Sequence, residues 1–159
     1  LRCGNLIGGG DWCENRIIPD YFRSYINKKT LIIRNPKSIR PWQHVINSIN
    51  IIKQIMSLEH KNVYDTFNIG PNNSKISVNK ILNKLNNFNN NLVKIKIKKL
   101  SSYQETKNLK LNNLKSKKIF KTKSKSINFD LKLTNDWYVN SFNKKNMYDF
   151  TLKQIEDYI

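Results

Sequence analysis

The chain has 159 residues, 38% of them hydrophobic, which suits one domain with a modest core. It contains no run of about 18 apolar residues and no visible secretory signal, so the sequence predicts no membrane-spanning helix. Basic residues outnumber acidic ones by 29 to 11, and the resulting net charge of +18 is typical of proteins that bind polyanions.

The first part of the chain predicts short strands and two helices. Residues 1–6 read as the end of a strand, 8–15 as a loop with glycine and acidic residues, and 31–34 as a short strand. Helical spacing predicts a helix over 17–27, with Pro19 in its first turn. A stronger helix is predicted over 45–58, with an apolar stripe made of Ile46, Ile49, Ile52, Ile55 and Met56.

The remainder continues the alternation of strands and helices. Ser77 is the predicted N-cap of a helix that buries Val78, Ile81, Leu82 and Leu85. Thr151 is the predicted cap of the last helix. The other predicted elements are a buried strand over 63–69, a turn over 70–73, a polar loop over 86–91, a half-exposed strand over 92–100 with lysines outward, a short helix over 109–120, a solvated connector over 115–125, and helices over 131–142 and 151–159.

This alternation indicates an α/β organisation with too few strands for a complete doubly wound sheet. The chain starts at Leu1, within what reads as a strand running into a loop. We therefore expect residues 1–159 to be one C-terminal part of a longer protein. The two cysteines, Cys3 and Cys13, have no CxxC spacing and predict reduced thiols in a cytoplasmic protein. No spacing of cysteine, histidine and acidic residues predicts a metal site.

Residues 33–45 are the most informative segment. Arg34 and Arg40 are each close to a proline, Pro36 and Pro41, and arginine forks bind phosphate oxygens in a bidentate manner. Together with the glycine-rich residues 4–12, they predict a loop that holds a phosphorylated small molecule.

Several strings in this region match one known family. They are RCGNLIGGGDW at 2–12, RIIPD at 16–20, IRNP at 33–36, IRPWQHV at 39–45, FNIGP at 67–71 and TLKQI at 151–155. In these motifs the chain resembles the CDP-glucose 4,6-dehydratases, which are extended short-chain dehydrogenase/reductases that act on nucleotide sugars. The resemblance is strong over residues 2–71 and thin over 72–150.

The resemblance implies a two-lobed lyase with a Rossmann lobe that binds NAD and a C-terminal lobe that binds the nucleotide sugar. This chain would supply the C-terminal substrate-binding lobe and the last strands of an incomplete sheet. The implied reaction converts CDP-glucose to CDP-4-keto-6-deoxyglucose, a precursor of deoxysugars in surface polysaccharide. The resemblance also implies a homo-oligomer.

The resemblance assigns substrate-binding residues. Asn5 would bond the diphosphate or sugar, Arg40 would clamp the diphosphate, and Arg34 would lie beside the base or ribose. Asn68 would lie at the ribose side, and Lys107 would supply positive charge near phosphate. The segment that would line the base pocket comprises Ile17, Ile18 and Pro19, preceded by Arg16.

Two family motifs are absent. The Gly8–Gly10 run is not the G-x-G-x-x-G fingerprint. The Tyr-x-x-x-Lys of the family is not found in its expected position, and the spacing of Tyr103 with Lys107 falls in the wrong region and reads as chance. We therefore place the catalytic residues outside this chain and expect the chain alone to have no dehydratase activity.

Other interpretations remain. An epimerase or dehydratase that uses another nucleotide sugar would share the fold. A basic module that binds nucleic acid would explain the charge, but 24 Lys against 5 Arg, with no Ala, favours AT-rich codon bias. For Trp12 and Trp42 we favour packing, for His44 a backbone bond at a helix start, and for the three glycines a turning loop with close approach of the substrate as a secondary role.

Overall fold

The computed structural model describes residues 1–58, 65–71, 75–98, 106–121, 125–143 and 146–159. Within those ranges strands and helices alternate, and the chain ends in three helices. The elements are β1 (Arg2–Cys3), β2 (Asn5–Ile7), α1 (Ile17–Ile26), β3 (Leu31–Ile33), β4 (Ile39–Arg40), β5 (Trp42–His44), α2 (Val45–Met56), β6 (Asn68–Ile69), β7 (Ile76–Ser77), α3 (Val78–Phe88), β8 (Ile95–Ile97), α4 (Leu114–Ile119), α5 (Ile127–Phe142) and α6 (Met147–Tyr158).

Side-chain caps start several of the helices. The hydroxyl oxygen of Ser77 accepts from the Lys80 N–H at 3.3 Å, which confirms the predicted cap of α3. Ser126 caps α5 in the same way through the Phe129 N–H, at 3.2 Å. His44 precedes α2, and its Nδ1 accepts from the Ile46 N–H at 3.4 Å, as expected for a backbone bond at a helix start.

The strands form four separate pairs, of which three are parallel and β4–β7 is antiparallel. Strand β1 pairs with β6, whereas β2 pairs with β5. Only Gly4 separates β1 from β2, so the chain passes from one pair to the other at this residue. The crossing brings Asn5 beside the β4–β5 segment, where its N–H donates to the Pro41 carbonyl at 2.8 Å.

The main core lies between helices α1, α3 and α5 and strands β2, β3 and β5. Its apolar residues include Ile81, Leu82 and Leu85 of α3, all fully buried as the sequence predicts. A polar bond network ties the same helices together. The Asn89 side-chain amide donates to the Tyr21 hydroxyl at 3.2 Å and to Oδ1 of the Asn135 side chain at 2.6 Å. A smaller cluster under α2 consists of Ile51, Phe67, Ile69 and Phe120.

Helix α2 exists where it is predicted, but only part of its predicted apolar stripe is buried. Ile49, Ile52 and Met56 are 47%, 37% and 80% exposed. Ile46 of the predicted stripe is buried and Ile55 is partly buried, and the rest of the buried face consists of Asn47, Ser48 and Ile51. The Asn47 amide can be buried because it donates to Gln43 at 3.1 Å, and Gln43 donates to the Ile69 carbonyl at 2.9 Å.

Other boundaries differ from the predictions. Helix α3 continues through part of the predicted 86–91 loop, and α4 occupies part of both the predicted 109–120 helix and the 115–125 connector. Helix α6 starts before Thr151, capped by Asn146, and the Thr151 hydroxyl donates back to the Met147 carbonyl. Strand β8 is shorter than predicted. Residues 63–64 and 72–73 of the predicted strand and turn, residues 99–100 of the predicted 92–100 strand and residues 122–124 of the predicted connector lie outside the described residues.

A buried ionisable cluster joins β5, α5 and α6. Tyr158 stacks on the His44 ring, with centroids 5.1 Å apart, and its hydroxyl donates to the Asp130 carboxylate at 3.1 Å. The Lys125 ammonium lies 6.0 Å from the Tyr158 ring centroid. Burial raises the pKa of Asp130 to about 6 and lowers that of His44 to about 4.

The two shifts act on stability in opposite directions. The raised pKa of Asp130 favours the folded state at low pH, and this contribution is lost as pH rises from 3.8 to about 6. The lowered pKa of His44 favours folding above pH 6.5, and this contribution is lost as pH falls to about 4. Over this window the two effects largely offset each other.

Replacing Asp130 with asparagine is expected to separate these effects. The variant should be more stable at pH 8 by about 2 kcal/mol, because a buried charge is removed while an acceptor for the Tyr158 hydroxyl is kept. The variant should also lose stability more steeply than the wild type as pH falls below 6.5. Protonation of His44 destabilises the fold there, and the opposing contribution of Asp130 is absent. Urea unfolding from pH 4 to pH 8 measures both. Equal stability at pH 8, with parallel pH curves, would contradict the prediction.

None of the helices that the structure describes is long and apolar enough to cross a membrane. Among the described residues, no group of three or more histidine, cysteine or acidic side chains could hold a metal ion.

Candidate functional site

An open cavity of about 720 Å³ lies between β2, the start of α1, the end of β3 and the β4–β5 segment. Its walls come from segments that are distant in sequence but are brought together by the β2–β5 pairing. The predicted site residues that line it are Asn5, Arg16, Ile17, Ile18, Pro19, Arg34 and Arg40. Asn5 and Arg40, placed on one diphosphate by the resemblance, therefore border the same cavity.

Residues 8–12, which we call the glycine loop, connect β2 to the segment before α1 and contribute to the cavity wall. Gly10 has a φ of +84°, which confirms the predicted role of glycine in turning this loop. Glycine is required at position 9 for a different reason. A Cβ atom there would lie 2.0 to 2.5 Å from three ring atoms of Trp137. The loop backbone thus packs directly on an indole face.

Polar contacts hold the loop from the side of α1. The Arg23 guanidinium donates to the carbonyl oxygens of Trp12 at 2.7 Å and of Cys13 at 3.0 Å. Arg16 forms an ion pair with Asp11 at 3.0 Å. Partial burial alone would raise the pKa of Asp11, but hydrogen bonds from the Cys13 backbone and from Arg16 hold it below 3.8. An ionised Asp11 offsets part of the positive charge of Arg16.

Arg40 occupies the inner part of the cavity wall and is only 9% exposed. Its Nη1 donates to the carbonyl oxygens of Ile39 and Thr106, both at 2.9 Å. These bonds fix the plane of a guanidinium that presents five N–H donors in total. Arg34 is exposed at the cavity rim. Arg34 and Arg40 together give the cavity a cationic side suited to an anionic ligand.

Two predicted site residues lie outside this cavity. Asn68 is in register with Arg2, before the chain crosses at Gly4, and its amide donates to the Asn112 carbonyl at 2.9 Å. It borders a separate pocket with Lys115 and Lys118. Lys107 is exposed, and its carbonyl accepts from the Ile39 N–H at 2.8 Å. The β1–β6 register therefore places Asn68 on a different face from Asn5.

Sequence reasoning missed Tyr138, which reaches the cavity wall from α5. Its ring stacks on Phe22, with centroids 4.0 Å apart, and meets the edge of Trp12 at 5.0 Å. Trp42 is buried, and its Nε1 donates to the Ile76 carbonyl at 3.2 Å. Both tryptophans thus make packing contacts, as expected. No local sequence signal identifies Tyr138, because its role depends on long-range packing.

No family model matches the chain. It is 46% identical over 74 residues to the CDP-glucose 4,6-dehydratase of Salmonella typhimurium, a match that covers 45% of this chain and 21% of that protein. The matched segment is thus well under two thirds of that relative's length.

Solved structures with the same fold cover much more of the chain. A UDP-glucuronic acid 4-epimerase from Bacillus cereus superposes with a TM-score of 0.76 and 15% identity, over 87% of this chain and 44% of that protein. A dTDP-glucose 4,6-dehydratase from Bacillus anthracis superposes with a TM-score of 0.71 and 22% identity, over 87% and 43%. The predicted α/β class, with small and incomplete sheets, is confirmed. The resemblance read from the motifs is also confirmed: the chain is similar in sequence to a CDP-glucose 4,6-dehydratase and has the fold of part of a UDP-glucuronic acid 4-epimerase and of a dTDP-glucose 4,6-dehydratase.

Proposed function

We propose that this chain is the nucleotide-sugar-binding part of a longer CDP-glucose 4,6-dehydratase. The observation that carries the proposal is the cavity, in which Asn5, Arg34 and Arg40 surround a space of about 720 Å³. An amide and two guanidinium groups are suitable partners for a sugar diphosphate. The sequence similarity to the Salmonella enzyme supports cytidine as the base.

The apolar segment 17–19 fits the base in this proposal. Ile18 and Pro19 are buried at the start of α1, and both line the cavity with Ile17. A pyrimidine ring would cover apolar surface there, while backbone groups read its edge. Arg16, at the mouth beside Asp11, would contribute charge near the ligand. Asn68 and Lys107 are not part of the proposed site, because neither lines the cavity.

NAD is the proposed cofactor of the intact enzyme, since the related solved structures named above were determined with NAD. The described residues of this chain do not fit a cradle for its pyrophosphate. Gly9, the middle residue of the glycine run, packs against Trp137. We therefore assign NAD binding mainly to a Rossmann lobe outside residues 1–159. We also propose that the intact enzyme is a homo-oligomer.

Binding to the chain tests the proposed substrate. Isothermal titration calorimetry with CDP-glucose, UDP-glucose and dTDP-glucose should give saturable binding that is tightest for CDP-glucose. Free CDP should compete, whereas cytidine should compete weakly, because most of the binding energy is assigned to the diphosphate. Equal affinity for all three nucleotide sugars would remove the base assignment. No binding of any of them would remove the proposed function.

A second test concerns turnover. We assign neither of the chain's two Tyr-x-x-x-Lys spacings, Tyr25 with Lys29 and Tyr103 with Lys107, to catalysis, so the purified chain should release no CDP-4-keto-6-deoxyglucose from CDP-glucose, even with NAD present. The keto product can be followed by its absorbance in alkali. Detectable turnover would overturn the assignment of the catalytic residues to another part of the protein.

A further inference from the structure

We propose that Trp137 and Tyr138 of α5 are positioning residues of the cavity, which hold the glycine loop where it forms the wall of the ligand site. This inference deepens the proposed function and rests on it. Neither residue belongs to the motifs that identify the cavity. Both act on the loop from a helix far along the chain.

The first observation is the contact between Gly9 and Trp137. Three ring atoms of the indole lie within 2.5 Å of the place where a Cβ at Gly9 would be. No side chain other than hydrogen can be accommodated while the indole stays in place. Because the neighbouring Gly8 and Asp11 both line the cavity, the indole sets the depth of this wall.

The indole is itself held in position. Its Nε1 donates to the Thr151 hydroxyl at 2.9 Å, and that hydroxyl donates to the Met147 carbonyl at 2.6 Å. These bonds fix the ring orientation through the first turns of α6. Trp137 does not line the cavity, so it acts on ligand binding indirectly, through Gly9 and through the Tyr138 ring, whose centroid is 5.6 Å from its own.

The second observation is the bond from Tyr138 to the loop. Its hydroxyl donates to the Asp11 carbonyl. The Tyr138 ring lies between the face of Phe22 and the edge of Trp12, so the hydroxyl cannot move without repacking the core. Burial raises the pKa of Tyr138 far above 10, which keeps the hydroxyl protonated as a donor at physiological pH.

The two residues therefore hold the loop at adjacent points, Gly9 and Asp11. Arg23 holds the far end through the carbonyls of Trp12 and Cys13. A loop fixed at three points loses little freedom when a ligand binds, and such preorganisation increases affinity. Loosening the loop at Trp137 should weaken binding while the residues that line the cavity remain unchanged, whereas Tyr138 itself lines the cavity and its variant keeps the ring in place.

The test measures loop order and ligand affinity in the same variants. Trp137→Ala and Tyr138→Phe should each speed amide hydrogen exchange in residues 8–12 and raise the dissociation constant of CDP by roughly fivefold to tenfold. Matched controls are Phe142→Ala, at the exposed end of α5, and Tyr148→Phe, an exposed tyrosine of α6. The controls should leave both quantities unchanged.

A double variant distinguishes positioning from general destabilisation. Gly9→Ala alone should weaken CDP binding at least tenfold, because its Cβ collides with the indole. In the Trp137→Ala background the same substitution should add less than a twofold change, since the collision is gone. Full additivity, or weaker binding in Trp137→Ala without faster exchange in residues 8–12, would overturn the inference.

The outcomes remain separable from those of the proposed function. If the wild-type chain binds no CDP, the proposed function fails, and the exchange rates of residues 8–12 alone decide whether α5 holds the loop. If wild-type binding is normal and neither single variant changes affinity or exchange, the positioning role is wrong and the proposed function is unaffected.

Discussion

Replacing Arg40 with alanine is expected to weaken CDP-glucose binding by the intact enzyme about tenfold to hundredfold and to leave NAD binding unchanged. The guanidinium is almost fully buried in the cavity wall, where water would screen a bond to the proposed phosphate only weakly. A charge-assisted hydrogen bond of this kind contributes roughly 1.5 to 3 kcal/mol. Each 1.4 kcal/mol corresponds to about a tenfold change in the dissociation constant.

Two further variants make this result interpretable. Arg40→Lys keeps the positive charge but loses the planar fork, so its affinity should lie between those of the wild type and Arg40→Ala. Arg2→Ala removes an exposed arginine that does not line the cavity, and it should bind normally. Because Nη1 also bonds two carbonyls, circular dichroism must show that Arg40→Ala is folded. A folded Arg40→Ala with an unchanged dissociation constant in calorimetry would refute the diphosphate assignment.

Replacing Gly4 with alanine is expected to destabilise the fold by about 3 kcal/mol. A Cβ at this residue would lie 2.3 Å from the Pro41 carbonyl oxygen, which is backbone and cannot rotate away. That carbonyl accepts from the Asn5 N–H, and the Gly4 N–H donates to the Ile69 carbonyl. Relief of the clash must therefore separate the two strand pairs that meet at Gly4.

The matched control is Gly70→Ala. A Cβ there would have its nearest neighbour at 3.5 Å, which is an ordinary van der Waals contact, so little change in stability is expected. Urea unfolding gives the free energy of both variants. Nucleotide binding should also weaken in Gly4→Ala, because Asn5 moves with the strand. A stability difference below about 0.5 kcal/mol between the two variants would contradict the prediction.

Local signals in the sequence predict α3 well. Ser77 is a cap, and Ile81, Leu82 and Leu85 repeat at helical spacing, so cap and stripe agree and all three apolar residues are buried. The motif residues of the cavity are also predicted as a group. Arg34 and Arg40 lie close together in sequence, and the glycine-rich residues 4–12 lie well before them. The arginine and proline pattern predicts a phosphate site, and the family resemblance brings Asn5 to the same ligand before the structure is seen.

Other features depend on packing between distant segments, which no local pattern reveals. The buried face of α2 is partly polar, because Asn47 and Gln43 satisfy each other and the Ile69 carbonyl. A search for an apolar stripe therefore selects the exposed isoleucines. Asn68 belongs to one of the matched motifs, but its register with Arg2 places it outside the cavity. The contact of Trp137 with Gly9 has no sequence signal at all.

The strand pairs have a consequence for the order in which the protein can form. Every pair joins residues far apart along the chain: Arg2 pairs with Asn68, and Leu31 with Ile95. The described strands include no hairpin. During synthesis β3 can therefore pair only after β8 has been translated. Until then Leu31 and Ile33, which are buried in the folded protein, have no partner strand. Closure of such long loops is slow, so we expect nascent chains that stop before Ile95 to depend on chaperones.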